Sequence, residues 1–198
     1  MKTLSTIDFA NVMDYPDDPE EMYLFDFTEG YNPEFIRSKK WGIGRYNEKR
    51  KEMYVAPHYK SSRDIHMGID IWTEAGASVY SFADGKVVYM KDNNQPGDYG
   101  PTIVIKYTID STEVFALYGH LTRASLQQVS VGEQVQKGQH IADLGSEEVN
   151  GGWVPHLHFQ LSIEDPGKAD MPGVVSDEGH EQALGIYPDP RIILGQLY

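Results

Sequence analysis

Two stretches near opposite ends of the chain constrain its fold most. In Asp64-Ile65-His66-Met67-Gly68-Ile69-Asp70-Ile71, isoleucines alternate with polar positions, the pattern of a β-strand. Residues two and four apart on a strand share a face, so one strand would point His66, Gly68 and Asp70 the same way. Gly68 would then leave open space between imidazole and carboxylate. Pro155-His156-Leu157-His158-Phe159-Gln160-Leu161 repeats the alternation, with His156, His158 and Gln160 on one face and the apolar side chains on the other. A third fragment, Leu117-Tyr118-Gly119-His120-Leu121, ends an apolar run at a histidine. Any one of these histidines alone reads as a surface residue. Together, H-x-G-x-D, G-H-L and H-x-H on successive strand patterns read as a zinc site. Such a group could hold a divalent metal at a sheet surface with room for a water.

These residues resemble the lysostaphin-type (LytM-like) zinc metallopeptidases, which cleave peptide cross-links in bacterial cell walls. The likeness runs from about Arg63 to Ile163 and includes the glycine turns. It implies that His66, Asp70 and His158 are the ligands of one zinc ion, and that His120 and His156 are catalytic histidines outside the metal shell. Spacing alone does not choose which histidine of the H-x-H pair holds the metal. Trp153, before the H-x-H strand, departs from wall-cleaving relatives, which carry small residues there. It is expected at the rim of the site, stacking on substrate or narrowing the groove. The version Y-G-H-L with N-G-G-W-x-P-H-L-H-F-Q is similar to a peptidase-like domain found beside kinase-like and aminotransferase domains.

The 198 residues suffice for one domain with a proper core. No apolar run reaches the roughly 18 residues of a membrane span. Residues 1–10 lack the continuous apolar core of a signal peptide, which points to the cytoplasm, or to a periplasmic or secreted chain whose signal has been removed. Cysteine is absent, which excludes disulfides, thiolate metal sites and thiol catalysis. Thirty acidic residues against 17 basic give a formal charge of −13, which disfavours nucleic acid and anionic wall polymers as partners.

Residues 1–62 are read as an N-terminal segment wrapped on the later sheet, since their many aromatics are too apolar for a disordered tail. Asn32 as N-cap, Pro33 at the first helical position and Gly42 as stop predict a short helix there. The basic run Arg45-Tyr46-Asn47-Glu48-Lys49-Arg50-Lys51 reads as a solvated loop or helix end. Arg63, three residues before His66, is a candidate to grip a substrate carboxylate, or else pairs with a structural acid.

Residues 63–163 are expected to form the peptidase core, mainly β, with antiparallel sheets in a sandwich or partly open barrel. Asp84-Gly85 reads as a hairpin turn, and residues 102–107 and 113–118 as a second hairpin. Val131 to Ala142 reads as a further glycine-turn hairpin, with Lys137 a turn residue. Residues 164–198 are a Pro-, Gly- and acid-rich tail in which Ile192-Ile193-Leu194 docks the terminus and His180 is exposed. No H-E-x-x-H helix, phosphate loop or G-x-S-x-G elbow occurs.

The expected activity is hydrolysis of a peptide bond through a zinc-activated water, with a peptide or small amide as substrate. Two alternatives stand beside it: a zinc hydrolase or lyase of a small cytosolic metabolite, and a non-catalytic binding or activator module of the same fold.

Overall fold

The computed structural model describes residues 8–54, 56 and 63–198. In chain order its elements are β1 (Met22–Leu24), α1 (Pro33–Arg37), β2 (Trp41–Gly44), β3 (Ile65–His66), β4 (Ile69–Trp72), β5 (Ser78–Tyr80), β6 (Gly85–Asn93), β7 (Gly100–Ile109), β8 (Thr112–Gly119), β9 (Gln134–Val135), β10 (His140–Asp143), β11 (His156–Ser162), β12 (Val174–Val175), α2 (Asp177–Ile186) and α3 (Arg191–Leu194). The protein is mainly β, as expected. Its centre is an open eight-stranded sheet in the order β1-β2-β4-β11-β8-β7-β6-β9, antiparallel except for the β1–β2 pair and not closed into a barrel. Two two-stranded sheets, β5–β10 and β3–β12, complete the strand structure of the described residues.

The sheet is organised by period-two alternation. Ile69 and Ile71 of β4, Leu157, Phe159 and Leu161 of β11, and Ala116 and Tyr118 of β8 enter one core. Val79 of β5 and Ile141 and Ala142 of β10 join it, so the smaller sheet packs on that face. The opposite face of the same strands carries Asp70, Trp72, His156, His158 and Gln160, all buried. The β7–β8 hairpin closes through Asp110 and Ser111, both with positive φ (47° and 67°), as the two-residue turn that matches strand twist requires.

Several local expectations change. The stretch 64–71 is not one strand: β3 pairs with β12, whereas β4 pairs with β2 and β11. The break lies at Met67–Gly68, where the Met67 amide donates to the Gly173 carbonyl at 2.9 Å as the chain passes between sheets. Asp84–Gly85 does not close a hairpin, because β5 pairs with β10 and β6 with β7 and β9. For the same reason β9 and β10 do not form a hairpin with each other. In the tail, α3 docks through Ile193, but α2, capped by Ser176, was not anticipated, and His180 on it is half-buried.

The segment before residue 54 adds β1 and β2 to the large sheet. The expected short helix is α1, with the Asn32 side chain accepting from the Phe35 amide at 3.1 Å and Pro33 in the first turn. It ends at Ser38 rather than Gly42. Gly42 lies inside β2, where a Cβ would fall 2.2 Å from the Phe25 ring. Phe25, Phe27 and Ile36 pack with Met53, Trp72 and Val154 in a second core on the polar-face side of the sheet.

Candidate metal centre

Strand register assembles the site. His158 of β11 is directly opposite Asp70 of β4 on one side and Gly119 of β8 on the other, and His156 is opposite Trp72. Asp70, His158 and Gly119 thus form a row across three neighbouring strands, with His120 immediately after the end of β8. His66 arrives from β3, outside the sheet. The gap between His66 and Asp70 is filled rather than open, because a Cβ on Gly68 would lie 2.6 Å from the His158 ring. Glycine is needed there to admit the third donor.

His66, Asp70 and His158 are each buried, and one donor atom from each lies within 4.8 Å of the others. His66 Nε2 is 3.3 Å from Asp70 Oδ1, His158 Nδ1 is 3.0 Å from the same oxygen, and the two ring nitrogens are 3.1 Å apart. The remaining ring nitrogens are committed elsewhere. His66 Nδ1 donates to the Arg45 carbonyl at 2.8 Å. His158 Nε2 lies 3.0 Å from Gln160 Oε1, and Gln160 Nε2 donates to the Pro172 carbonyl, which orients the amide. Each imidazole therefore spends its one N–H outward and turns a lone pair inward.

Three acceptors facing one another at 3.0–3.3 Å repel unless a cation sits among them. The spacing also matches the edges of a zinc tetrahedron, about 3.3 Å for metal–ligand bonds of roughly 2.0–2.1 Å. This nitrogen and oxygen donor set fits zinc. Burial alone opposes ionisation of Asp70, but the buried Arg50 guanidinium at Oδ2 helps hold its carboxyl well below the usual range. Burial, reinforced by Arg50, pushes His66 down to about 4, so the ring is neutral and able to bind a metal at neutral pH.

The other two histidines stand beside this cluster. His156 Nδ1 donates to the Val154 carbonyl at 2.8 Å, and its Nε2 lies 3.8 Å from Asp70 Oδ1. Its ring stacks on Trp72 at 3.9 Å and 21°. His120 Nδ1 donates to the Asn150 carbonyl at 2.8 Å, and its ring centre is 4.2 Å from that of His156. Burial pushes His156 down to about 4 and His120 well below the usual imidazole value. His120 itself has φ 65°, an unusual conformation for a non-glycine residue, and its backbone is pinned by bonds to Tyr99 and Gly145. Gly119, just before it, has no side chain and so admits the Tyr99 ring.

A cleft of about 1160 Å³ opens over these groups. Trp153 lines it edge-on to Tyr31 and Tyr54, at 5.8 and 6.0 Å between ring centres, and Arg63 lines it as well. Sequence reasoning missed several residues that hold the site. Arg50 and Glu48 are fully buried, not part of a solvated basic run, and Arg50 Nη1 donates to Asp70 Oδ2 at 2.6 Å. Tyr99, 3.5 Å from His158 Nε2 through its hydroxyl, and Asn150 were also passed over. The signal for Asn150 was its Gly-Gly turn. For Arg50 no local signal exists.

The model of peptidase family M23 matches residues 64–181. A peptidoglycan DD-endopeptidase, ShyB, of Vibrio cholerae is 33% identical over 133 residues, 64% of this chain and 27% of its own length. The murein hydrolase activator NlpD of Escherichia coli is 30% identical over 118 residues, 60% of this chain and 28% of its own. This chain therefore spans little more than a quarter of the length of either relative. Among solved structures, a zinc-containing peptidase from Vibrio cholerae is 31% identical, covering 60% of this chain and 32% of that one, with a TM-score of 0.46. The catalytic domain of lysostaphin from Staphylococcus simulans is 19% identical, covering 77% and 98%, with a TM-score of 0.49. Two further relatives are named lipoproteins, so the expectation of a cytoplasmic chain finds no support, nor does the narrower likeness to domains beside kinases and aminotransferases. No helix among the described residues is long and apolar enough to cross a membrane. With the family model covering more than half of its residues, the chain belongs to peptidase family M23.

Proposed function

We propose that this chain is a zinc-dependent endopeptidase acting on peptide bonds of peptidoglycan, with His66, Asp70 and His158 holding one zinc ion and His120 and His156 doing the proton chemistry. The observation that carries the reading is the set of five buried groups in contact: three inward lone pairs at tetrahedral spacing and two further neutral imidazoles at their side. When bound, zinc supplies a Lewis acid for the scissile carbonyl and lowers the pKa of an attacking water.

The chain's own residues do the rest. His156 keeps its proton on Nδ1, tied to the Val154 carbonyl, and offers Nε2 as an acceptor beside Asp70. His120 does the same through the Asn150 carbonyl. A neutral imidazole accepts a proton, and the imidazolium it becomes donates to the leaving amine and to the developing oxyanion. Trp72 holds the His156 ring by stacking. Trp153, with Tyr31 and Tyr54, forms an aromatic side to the cleft that selects substrate, and Arg63 offers a cation at its rim. This work is done in the cell envelope, where the substrate lies.

The second reading is a non-catalytic activator of other wall hydrolases, favoured by the relatives that carry that name. Digestion of purified sacculi and cross-linked muropeptides by the zinc-loaded protein separates the two. The proposal expects new amino termini that a chelator suppresses. Intact cross-links, alongside stimulation of a separate hydrolase, would establish the activator instead.

A further inference from the structure

The metal donors come from the family-matched region, but two of the three are held from behind by residues that precede it. The match begins at residue 64, and the turn in question spans Arg45 to Arg50. The Arg50 side chain is 0% exposed and that of Glu48 3%. Arg50 Nη1 donates to Asp70 Oδ2 at 2.6 Å and to the Tyr54 hydroxyl at 2.8 Å, while Nε donates to Glu48 Oε2 at 3.1 Å. Its guanidinium lies 4.9 Å from the centre of the Phe27 ring. Glu48 also accepts from Arg45 Nη1 at 3.1 Å, and the Arg45 carbonyl is the acceptor for His66 Nδ1. Gly44 makes the room, since a Cβ there would lie 2.7 Å from Arg50 Nη2 and 3.2 Å from Asp70 Oδ2. Burying a guanidinium is costly unless it is paired and hydrogen-bonded, and here the pairs are in place.

We propose that the 45–50 turn is the outer clamp of the metal centre and that Arg50 is its positioning residue. By occupying Asp70 Oδ2, Arg50 leaves the carboxylate only Oδ1 to offer a metal. The aspartate then binds through one oxygen, and a coordination position stays open for water and substrate. Arg45 acts in parallel, fixing His66 so that Nε2 faces inward. The inference rests on the reading of His66, Asp70 and His158 as zinc ligands. It adds that the segment before residue 64, outside the family match, completes the site.

The test compares the wild type with Arg50→Met, Arg50→Lys and Glu48→Gln, each first confirmed as folded by a cooperative thermal melt. Zinc affinity is read by competition with a chromophoric chelator, and geometry by the visible spectrum of the cobalt(II)-substituted protein. Arg50→Met is expected to weaken zinc binding by about 10- to 100-fold. It should also lower the cobalt absorptivity, because a carboxylate freed to chelate through both oxygens raises the coordination number. Arg50→Lys keeps the charge and one donor and should recover part of both signals, and Glu48→Gln should show a smaller loss in the same direction. If Arg50→Met does not fold, the other two variants decide. Wild-type affinity and an unchanged cobalt spectrum in the folded variants overturn the proposal, whatever happens to their melting temperatures. A wild type that binds no zinc overturns the ligand reading and this proposal together.

Discussion

The two halves of the metal centre are built on different principles. From residue 64 onward, two of the three donors are placed by strand register in the large sheet: His158 lies opposite Asp70, as His156 does opposite Trp72, with a buried apolar residue between each polar one. Before residue 54, Arg50, Glu48 and the Arg45 carbonyl reach the same donors from an irregular turn whose side chains pair with one another. Periodic placement leaves a trace in the sequence because every second residue must be apolar. Turn placement leaves none, since a buried Arg50 and an exposed Lys51 look alike when read as a run of charge.

Removing the earlier region tests this contrast most severely. Without residues 1–54 the sheet loses β1 and β2, and Trp72 and Val154 lose Phe25, Phe27 and Ile36 as packing partners. The truncated chain is expected to lose its cooperative thermal melt, as followed by near-ultraviolet circular dichroism. Limited proteolysis that trims the intact protein to about residue 60 and leaves an equally stable core contradicts the account.

Within the later region, His120→Ala should leave zinc nearly stoichiometric while turnover of a cross-linked peptide falls on the order of 10²-fold or more. Unchanged turnover removes His120 from the chemistry and leaves the family likeness a matter of fold there.

The legibility of each part follows from the same physics. On β11 the alternation holds without a break, so the faces of His156, His158 and Gln160 were readable. Between His66 and Asp70 the reading of a single strand failed, because the chain leaves one sheet for another at Met67–Gly68. The two side chains meet even so, with His158 packed over Gly68. Helix α1 was visible through Asn32 and Pro33, whose cap and first-turn roles are local. Helix α2 buries only Ala183, and its two large apolar residues, Leu184 and Ile186, both fall in its last turn, so no apolar stripe announced it. The mainly β, antiparallel architecture was readable from the short alternating strands, whereas the strand order was not, since which strand pairs with which depends on contacts far apart in the chain.

Two smaller substitutions grade the hold of the earlier region on the later one. Gly44→Ala forces a methyl group against the Arg50 guanidinium and Asp70 and should cost about 1–3 kcal/mol of stability, measured by denaturant unfolding. Arg37 and Glu147 join the same two regions at the surface, at 2.7 Å with 47% and 41% of their side chains exposed. Arg37→Ala should therefore cost less stability than Gly44→Ala in the same denaturant unfolding measurement. A surface pair that matters more than Gly44 would reverse the ranking of buried and exposed contacts argued above.

Zinc content in four alanine variants bears most directly on the central claim. His66→Ala, Asp70→Ala, His156→Ala and His158→Ala are purified, reloaded with zinc, dialysed and analysed by atomic emission. The account predicts that His156→Ala keeps zinc at the wild-type level and that the other three lose most of it. Zinc lost from His156→Ala and retained in His158→Ala, or undiminished in both His66→Ala and Asp70→Ala, contradicts it.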